Sequence, residues 1–462
     1  MGRDPRPVSP ASGRPYRPRH PERTVLYQVL EARFEDYRRV HADRFEPTSG
    51  PWRAEVEEAV HAFLDCGRLH GGFARIRCPK CGSEHLLAFS CRTRNLCPSC
   101  QSKRSALFAE WLVEAVLLDV PHRHVVFTVP KRLRRLIERE RALHGLMAKA
   151  AWAVLRDALS EAACEPEGRA GAVVSLQTFG SFGANFHPHL HALVTEGVFT
   201  PDGCFHPVIW PEAGVLEEAF RRRFLEALEK AGRLRPETRE RFLSWTHSGF
   251  SALATQRLAA GERARAERLA RYATRVVVAG GRIRRLEGGR VRIETPPDPH
   301  TRRTWVDMDE LEFVHAVCQQ VPARGMHMVR YLGAYANRLR RVYREARARR
   351  AGEEVPPGEG RGDPMGEAAV DPREESPPEE SPPAVPGSAA SLRRQAWARL
   401  LRKVFEVEPL LCPRCRKEGR TVEMEIVAWI SDLGVVDRIL GHRRARGMAS
   451  VFEPPARAPP AA

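Results

Sequence analysis

Ala172-Val173-Val174-Ser175-Leu176-Gln177-Thr178-Phe179, then His187-Pro188-His189-Leu190-His191-Ala192-Leu193-Val194, is the stretch on which the fold can be decided. Two apolar, β-prone runs of strand length flank a loop that contains Gly180, Gly183 and Asn185. That is the pattern of two buried strands side by side. Side chains alternate along a strand, so His189 and His191 share one face about 7 Å apart, and Leu190 points to the other. Two imidazoles fixed in this way can hold a divalent ion on a rigid sheet. The alternative is a buried or zinc-binding histidine cluster.

Working outward, His124-Val125-Val126-Phe127-Thr128-Val129-Pro130 reads as another buried strand, stopped by proline. Helical periodicity covers about Glu55–Phe63, Ser102–Leu118, Arg132–Ala163, Leu216–Lys230, Ala252–Thr274, Met308–Cys318 and Met328–Arg350. A hairpin fits Val276–Ile293, with Gly280-Gly281 and Gly288-Gly289 as turns. The fold class that follows is α+β: an antiparallel sheet with the histidine strand at its centre and helices packed on it, preceded by a cysteine-rich domain. Residues 1–24 are rich in Pro and Arg and read as a disordered basic arm, 25–110 as the cysteine-rich domain and 111–350 as the α+β domain. Residues 351–390 read as a disordered Pro/Glu-rich linker, and 391–462 as a small C-terminal module that opens with an amphipathic helix over Leu392–Val404.

The 462 residues carry a formal net charge of +17, which points to a polyanionic partner rather than a small-molecule substrate. No apolar leader follows Met1-Gly2-Arg3-Asp4-Pro5, and no run approaches the roughly 18 apolar residues of a membrane span. A cytoplasmic chain with reduced thiols is the expectation. Six of the eleven cysteines fall in C-x-x-C pairs, which suits metal better than disulfides.

Cys78-Pro79-Lys80-Cys81-Gly82 and Cys97-Pro98-Ser99-Cys100 are separated by fifteen residues. The spacing C-x₂-C-x₁₅-C-x₂-C predicts a structural zinc ion on Cys78, Cys81, Cys97 and Cys100. Cys66, His70, His85 and Cys91 are further candidates, able to replace one ligand or to complete a second site. Cys412-Pro413-Arg414-Cys415 is a pair without an evident second pair, read as a possible second zinc knuckle. Arg92, Arg94, Lys103 and Arg104 flank the first module and suit phosphate contact.

Three segments together resemble the rolling-circle transposases of the insertion-sequence 91 and ISCR type. They are Ser90-Cys91-Arg92-Thr93-Arg94-Asn95-Leu96-Cys97-Pro98-Ser99-Cys100-Gln101, the His124–Pro130 strand, and Gln177-Thr178-Phe179-Gly180-Ser181 leading to His187-Pro188-His189-Leu190-His191. The stretch Trp397 to Cys415 is similar to the tail of the same family, and the likeness covers roughly residues 55–345 and 393–445. The resemblance implies a zinc-binding domain ahead of a histidine-hydrophobe-histidine (HUH-type) nuclease domain that nicks and rejoins single-stranded DNA at the ends of a mobile element. It also implies a catalytic Mg²⁺ or Mn²⁺ on His189 and His191, with His187 as a further candidate, and a tyrosine that becomes covalently attached to the 5′ phosphate.

The family context for that tyrosine is matched by Leu269-Ala270-Arg271-Tyr272-Ala273-Thr274-Arg275, and Arg268 stands where a second tyrosine would be. Tyr272 is therefore expected to act alone. Tyr331-Leu332-Gly333-Ala334-Tyr335 is the runner-up, because i, i+4 spacing on a helix would put both rings on one face. Candidates for a third metal ligand are His187, Gln177, Gln256 and Glu267. Two other readings stand beside the nuclease. One is a non-catalytic zinc-ribbon DNA-binding protein. The other is a zinc hydrolase on His187, His189 and His191, which would need a nearby carboxylate; the first one after Gln177 is Glu196.

Overall fold

Phe73–Arg77 (β1) and Glu84–Ala88 (β2) form an antiparallel hairpin, and the Cys78–Cys81 turn closes it. The computed structural model describes residues 14–15, 20–180, 185–277, 280–298, 301–352, 407–408 and 411–446, and these divide into two units. One is built from Glu57–Ala106 with the two ends of the chain, the other from Arg33–Val56 and Leu107–Glu367. In the first unit, the helix Pro98–Trp111 (α1) starts at the second cysteine pair. No helix among the described residues is long and apolar enough to cross a membrane.

The second unit is organised around five strands: His122–Thr128 (β3), Gly171–Phe179 (β4), Phe186–Thr195 (β5), Ser251–Leu258 (β6) and Val329–Gly333 (β7). Their order is β7-β4-β5-β3-β6, antiparallel throughout. The histidine strand β5 is thus central, as its burial on both faces from Pro188 to Thr195 requires. Leu143–Ala163 (α2) and Ala213–Lys230 (α3) cover one face. Leu190, Ala192 and Val194 of β5 pack there with Val125 and Phe127, in a core closed by Met147, Leu155, Phe220 and Phe224. On the other face Val173 and Leu193 pack with Phe108, Leu112, Leu269 and Tyr335. The alternation that separates Leu190 from His189 and His191 therefore separates core from site.

The structure departs from the sequence expectation in two places within this unit. Ala252–Thr274 is not one helix: Ser251–Leu258 is edge strand β6, and only Arg263–Ala273 (α4) is helical. The edge position leaves half of β6 exposed, so the apolar alternation that would mark a strand is nearly absent. Met328–Arg350 likewise divides into β7 and the helix Asn337–Ala351 (α5). Gly333, at φ +60°, ends the strand where a Cβ would collide with the Ala170 carbonyl. The predicted hairpin is Ile283–Leu286 with Arg290–Glu294, turning at Gly288-Gly289, and Trp305–Asp309 adds a third strand.

The C-terminal segment is not a separate module. Glu425–Ile430 (β8) pairs antiparallel with β1, which completes a three-stranded sheet in the order β8-β1-β2. Leu433–Ala445 (α6) lays Val436 and Leu440 against Leu69, Phe73 and Leu86. Most of the predicted basic arm, the 353–390 part of the linker and the Leu392–Val404 helix lie outside the described residues.

Candidate active site

His189 and His191 lie side by side in the first half of β5, with ring centroids 4.9 Å apart. In register beside them stand Gln177 and Ser175 on β4, and Thr128 and Val126 on β3. Both rings are largely buried, His189 being 9% and His191 4% exposed. Burial is the main reason that the His189 pKa falls to about 4, and it holds His191 well below its ordinary value. Both are neutral at pH 7, which is the form that can bind a metal.

Hydrogen bonds fix which nitrogen carries the lone pair. His189 Nδ1 donates to the His187 carbonyl at 2.8 Å, so its Nε2 is the free base. His191 Nδ1 lies 2.9 Å from His124 Nε2, with the two rings stacked at an interplanar angle of 6°. His124 Nδ1 in turn meets the Thr255 hydroxyl at 2.6 Å, and that hydroxyl donates to the His124 carbonyl. The proton order Thr255, His124, His191 leaves His191 Nε2 as an acceptor. Among the described residues that atom is buried without a hydrogen-bond partner. Gln177 is in the same condition: its Nε2 donates to the Tyr272 carbonyl at 2.8 Å, and its Oε1 is buried and unpartnered. A buried acceptor left without a partner costs about 1–3 kcal/mol, so these atoms are suited to a cation or a donor from a ligand.

Tyr272, near the C-terminal end of α4, is 46% exposed and meets His191 edge-on at 5.5 Å. Arg275 lies 4.7 Å from the centre of the Tyr272 ring and 5.4 Å from that of Phe179. The Gln177–Tyr272 hydrogen bond ties the end of the helix to the histidine sheet. His187 shares the face at 5.2 Å from His189, and its pKa is pushed to about 3, chiefly by burial.

Other sequence candidates lie elsewhere. Gln256 is on edge strand β6 rather than on the tyrosine helix, and it is exposed. Glu267 is ion-paired with Arg271 at 2.8 Å. Tyr331 and Tyr335 do not share a helix face. Tyr331 is in β7 against Trp111. Tyr335 is 0% exposed, and its hydroxyl is 2.6 Å from His122 Nε2. Glu196, which the hydrolase reading requires, is held between Arg123 and Arg257. His124 is the residue that sequence reasoning missed. Its signal is its place at the head of the apolar run Val125-Val126-Phe127 on a strand beside the histidine strand.

The cysteines are grouped differently from their spacing. Cys66, Cys91, Cys97 and Cys100 form one cluster, and Cys78, Cys81, Cys412 and Cys415 another; within each, all sulfurs lie within 4.8 Å of one another. The predicted Cys78/Cys81/Cys97/Cys100 set is thereby corrected. His70 and His85 belong to neither cluster: His70 pairs with Asp65, and His85 sits beside Ser83. Around the first cluster, Arg104 donates to the Arg92 carbonyl at 3.0 Å. Arg94 and Lys103 are half-buried nearby, and Arg92 is exposed.

A family model described as "Transposase zinc-binding domain" matches residues 37–129, and one described as "Putative transposase" matches residues 171–342. The "Putative transposase y4qJ" of Sinorhizobium fredii (strain NBRC 101917 / NGR234) is 32% identical over 286 residues, which cover 57% of this chain and 70% of that protein. The "Transposase for insertion sequence element IS801" of Pseudomonas savastanoi pv. phaseolicola is 26% identical over 304 residues, covering 61% of this chain and 70% of the relative. No solved structure matches the chain.

Proposed function

Because this chain belongs to the transposases of the insertion-sequence 91 type, we propose that it nicks and rejoins single-stranded DNA at the ends of its element, with Tyr272 as the only nucleophile. The observation that carries this reading is the half-exposed Tyr272 ring 5.5 Å from His191, beside three buried atoms without partners, His187 Nε2, His191 Nε2 and Gln177 Oε1. His189 Nε2, His191 Nε2 and Gln177 Oε1 would hold a divalent ion, Mg²⁺ or Mn²⁺. His187 Nε2 is likewise buried without a partner, and Gln177 is preferred as third ligand because its Nε2 already ties it to the Tyr272 carbonyl. When bound, that ion supplies Lewis-acid polarisation of the scissile phosphate.

The chain's own residues do the rest. The Tyr272 oxygen forms a bond to phosphorus as the bond from phosphorus to the 3′ oxygen breaks. The phenol gives up its proton, and the departing 3′ oxygen gains one. The 5′ phosphate stays on the enzyme as a phosphodiester, so the reverse attack by a 3′-hydroxyl rejoins the strand without ATP. Arg275 puts a positive charge over the ring at the point where the phosphate approaches. The His124–Thr255 relay keeps His191 in the tautomer that faces outward. Arg92, Arg94, Lys103 and Arg104 of the zinc-binding unit contribute phosphate contacts.

Incubation with circular single-stranded DNA and Mg²⁺ or Mn²⁺, followed by SDS, tests the reading. A covalent protein–DNA adduct is expected from the natural sequence and absent from both Tyr272→Phe and His189→Ala. An adduct from Tyr272→Phe would assign the nucleophile to another tyrosine. Salt-sensitive binding with no adduct on DNA carrying the element's ends would favour the non-catalytic reading.

A further inference from the structure

We propose that Cys78, Cys81, Cys412 and Cys415 hold a second structural zinc ion, so that the C-terminal segment is an obligatory half of the zinc-binding unit. The distances carry the assignment. Cys78 and Cys415 sulfurs are 3.7 Å apart, and those of Cys81 and Cys412 are 3.5 Å apart. A tetrahedron with Zn–S bonds of about 2.3 Å has sulfur–sulfur edges of about 3.8 Å. A disulfide would need about 2.05 Å. The first cluster shows the same edges, 3.8 Å for Cys66–Cys97 and for Cys66–Cys100, and 3.5 Å for Cys91–Cys100.

Both halves of the second cluster have the backbone of a metal knuckle. After Cys78 the chain turns so that Gly82, at φ +67°, returns its N–H to the Cys78 carbonyl at 3.0 Å. Cys412 caps the short helix Pro413–Lys417, with the Arg416 N–H on the Cys412 carbonyl at 3.1 Å. Ala74, Ile76, Met424 and Ile426 pack around three of these buried cysteines. Four thiols gathered in such a small apolar core gain little from one another, since S–H is a weak donor. As thiolates on a cation they would account for the arrangement.

The paired knuckles are 331 residues apart between Cys81 and Cys412. The family model for the zinc-binding domain spans residues 37–129 and so contains only one of them. This unit is therefore assembled from both sides of the intervening nuclease sequence. The single-ion set read from spacing makes different predictions, which allows a clean test that does not depend on catalysis.

Metal analysis of the full-length chain, purified under reducing conditions without added metal, should give two zinc ions per chain. Cys412→Ser combined with Cys415→Ser should give one, and Cys66→Ser combined with Cys91→Ser should also give one. A natural chain with one zinc, or two zinc ions retained in the Cys412→Ser/Cys415→Ser variant, would overturn the proposal. If a variant fails to fold, X-ray absorption at the zinc edge of the natural chain decides. Two ions with four sulfurs each require eight cysteine ligands, whereas nitrogen in the shell would bring in a histidine and refute the assignment.

Discussion

The histidine centre and the cysteine clusters are two ways of building a metal site. The first, in the proposed reading, takes His189 and His191 from one strand and Gln177 from its neighbour, within a sheet that is already paired and packed on both faces. The second gathers sulfurs from Cys66 to Cys415 onto a three-stranded sheet with little core of its own. In the first, hydrogen bonds orient the ligands before any ion arrives. In the second, the thiols have mainly one another. The difference teaches that one chain can set candidate ligands in a sheet already packed without an ion, and gather others where the fold offers little else to hold them.

Stripping zinc is the strongest way to break that contrast. Structural zinc is worth on the order of 10–16 kcal/mol to small domains. Amide exchange after chelation should therefore show β1, β2 and β8 losing protection while β3 to β7 keep theirs. Equal loss in both sheets would sink the distinction. Tyr272→Phe is next: adduct formation should fall at least about 10³-fold with no change in either protection pattern. A variant that also melts the sheet would mean that the ring is structural.

His124→Phe tests the preformed relay. It keeps a ring beside His191 and removes the acceptor of its proton, and such outer partners are typically worth about 10–100-fold in metal affinity. Mn²⁺ titration measures it, and an unchanged affinity would make His124 mere packing. The smallest effect concerns acid. Burial is the main cause that lowers the pKa of His122 to about 4 and of His144 to about 3. As pH drops below about 6.5 the unfolded chain takes up protons that the folded second unit refuses. Each histidine then removes up to about 1.4 kcal/mol per pH unit. Urea melts between pH 7 and 4.5 should show this slope, and it should be shallower in His144→Phe. Equal slopes in the two proteins would refute the assignment.

The contrast also explains what could be read in advance. The placing of His189, His191 and Gln177 on one sheet face was legible because strand alternation is local and apolar residues surround them on both strands. The cysteine partition was not, because every C-x-x-C knuckle resembles every other. Which two knuckles meet is decided by β8 pairing with β1, and Cys66 and Cys91 carry no spacing signal. The β6 strand was hidden by Ala, Gln and Arg, residues that favour helices, on an edge with little to bury. The i, i+4 spacing of Tyr331 and Tyr335 was a coincidence that Gly333 between them could have exposed.

The pairing of β8 with β1 has a consequence on the ribosome. The two strands are encoded on opposite sides of the nuclease sequence, and translation proceeds at about 5–20 residues per second. With 331 residues between Cys81 and Cys412, the outer edge of β1 waits roughly 15–65 s for its partner. Through that interval the five-stranded sheet can form while the nascent zinc-binding half shows an open, sticky strand edge. Chains released early, by a frameshift or a stop codon past the nuclease, would keep that edge and become targets for chaperones and proteases.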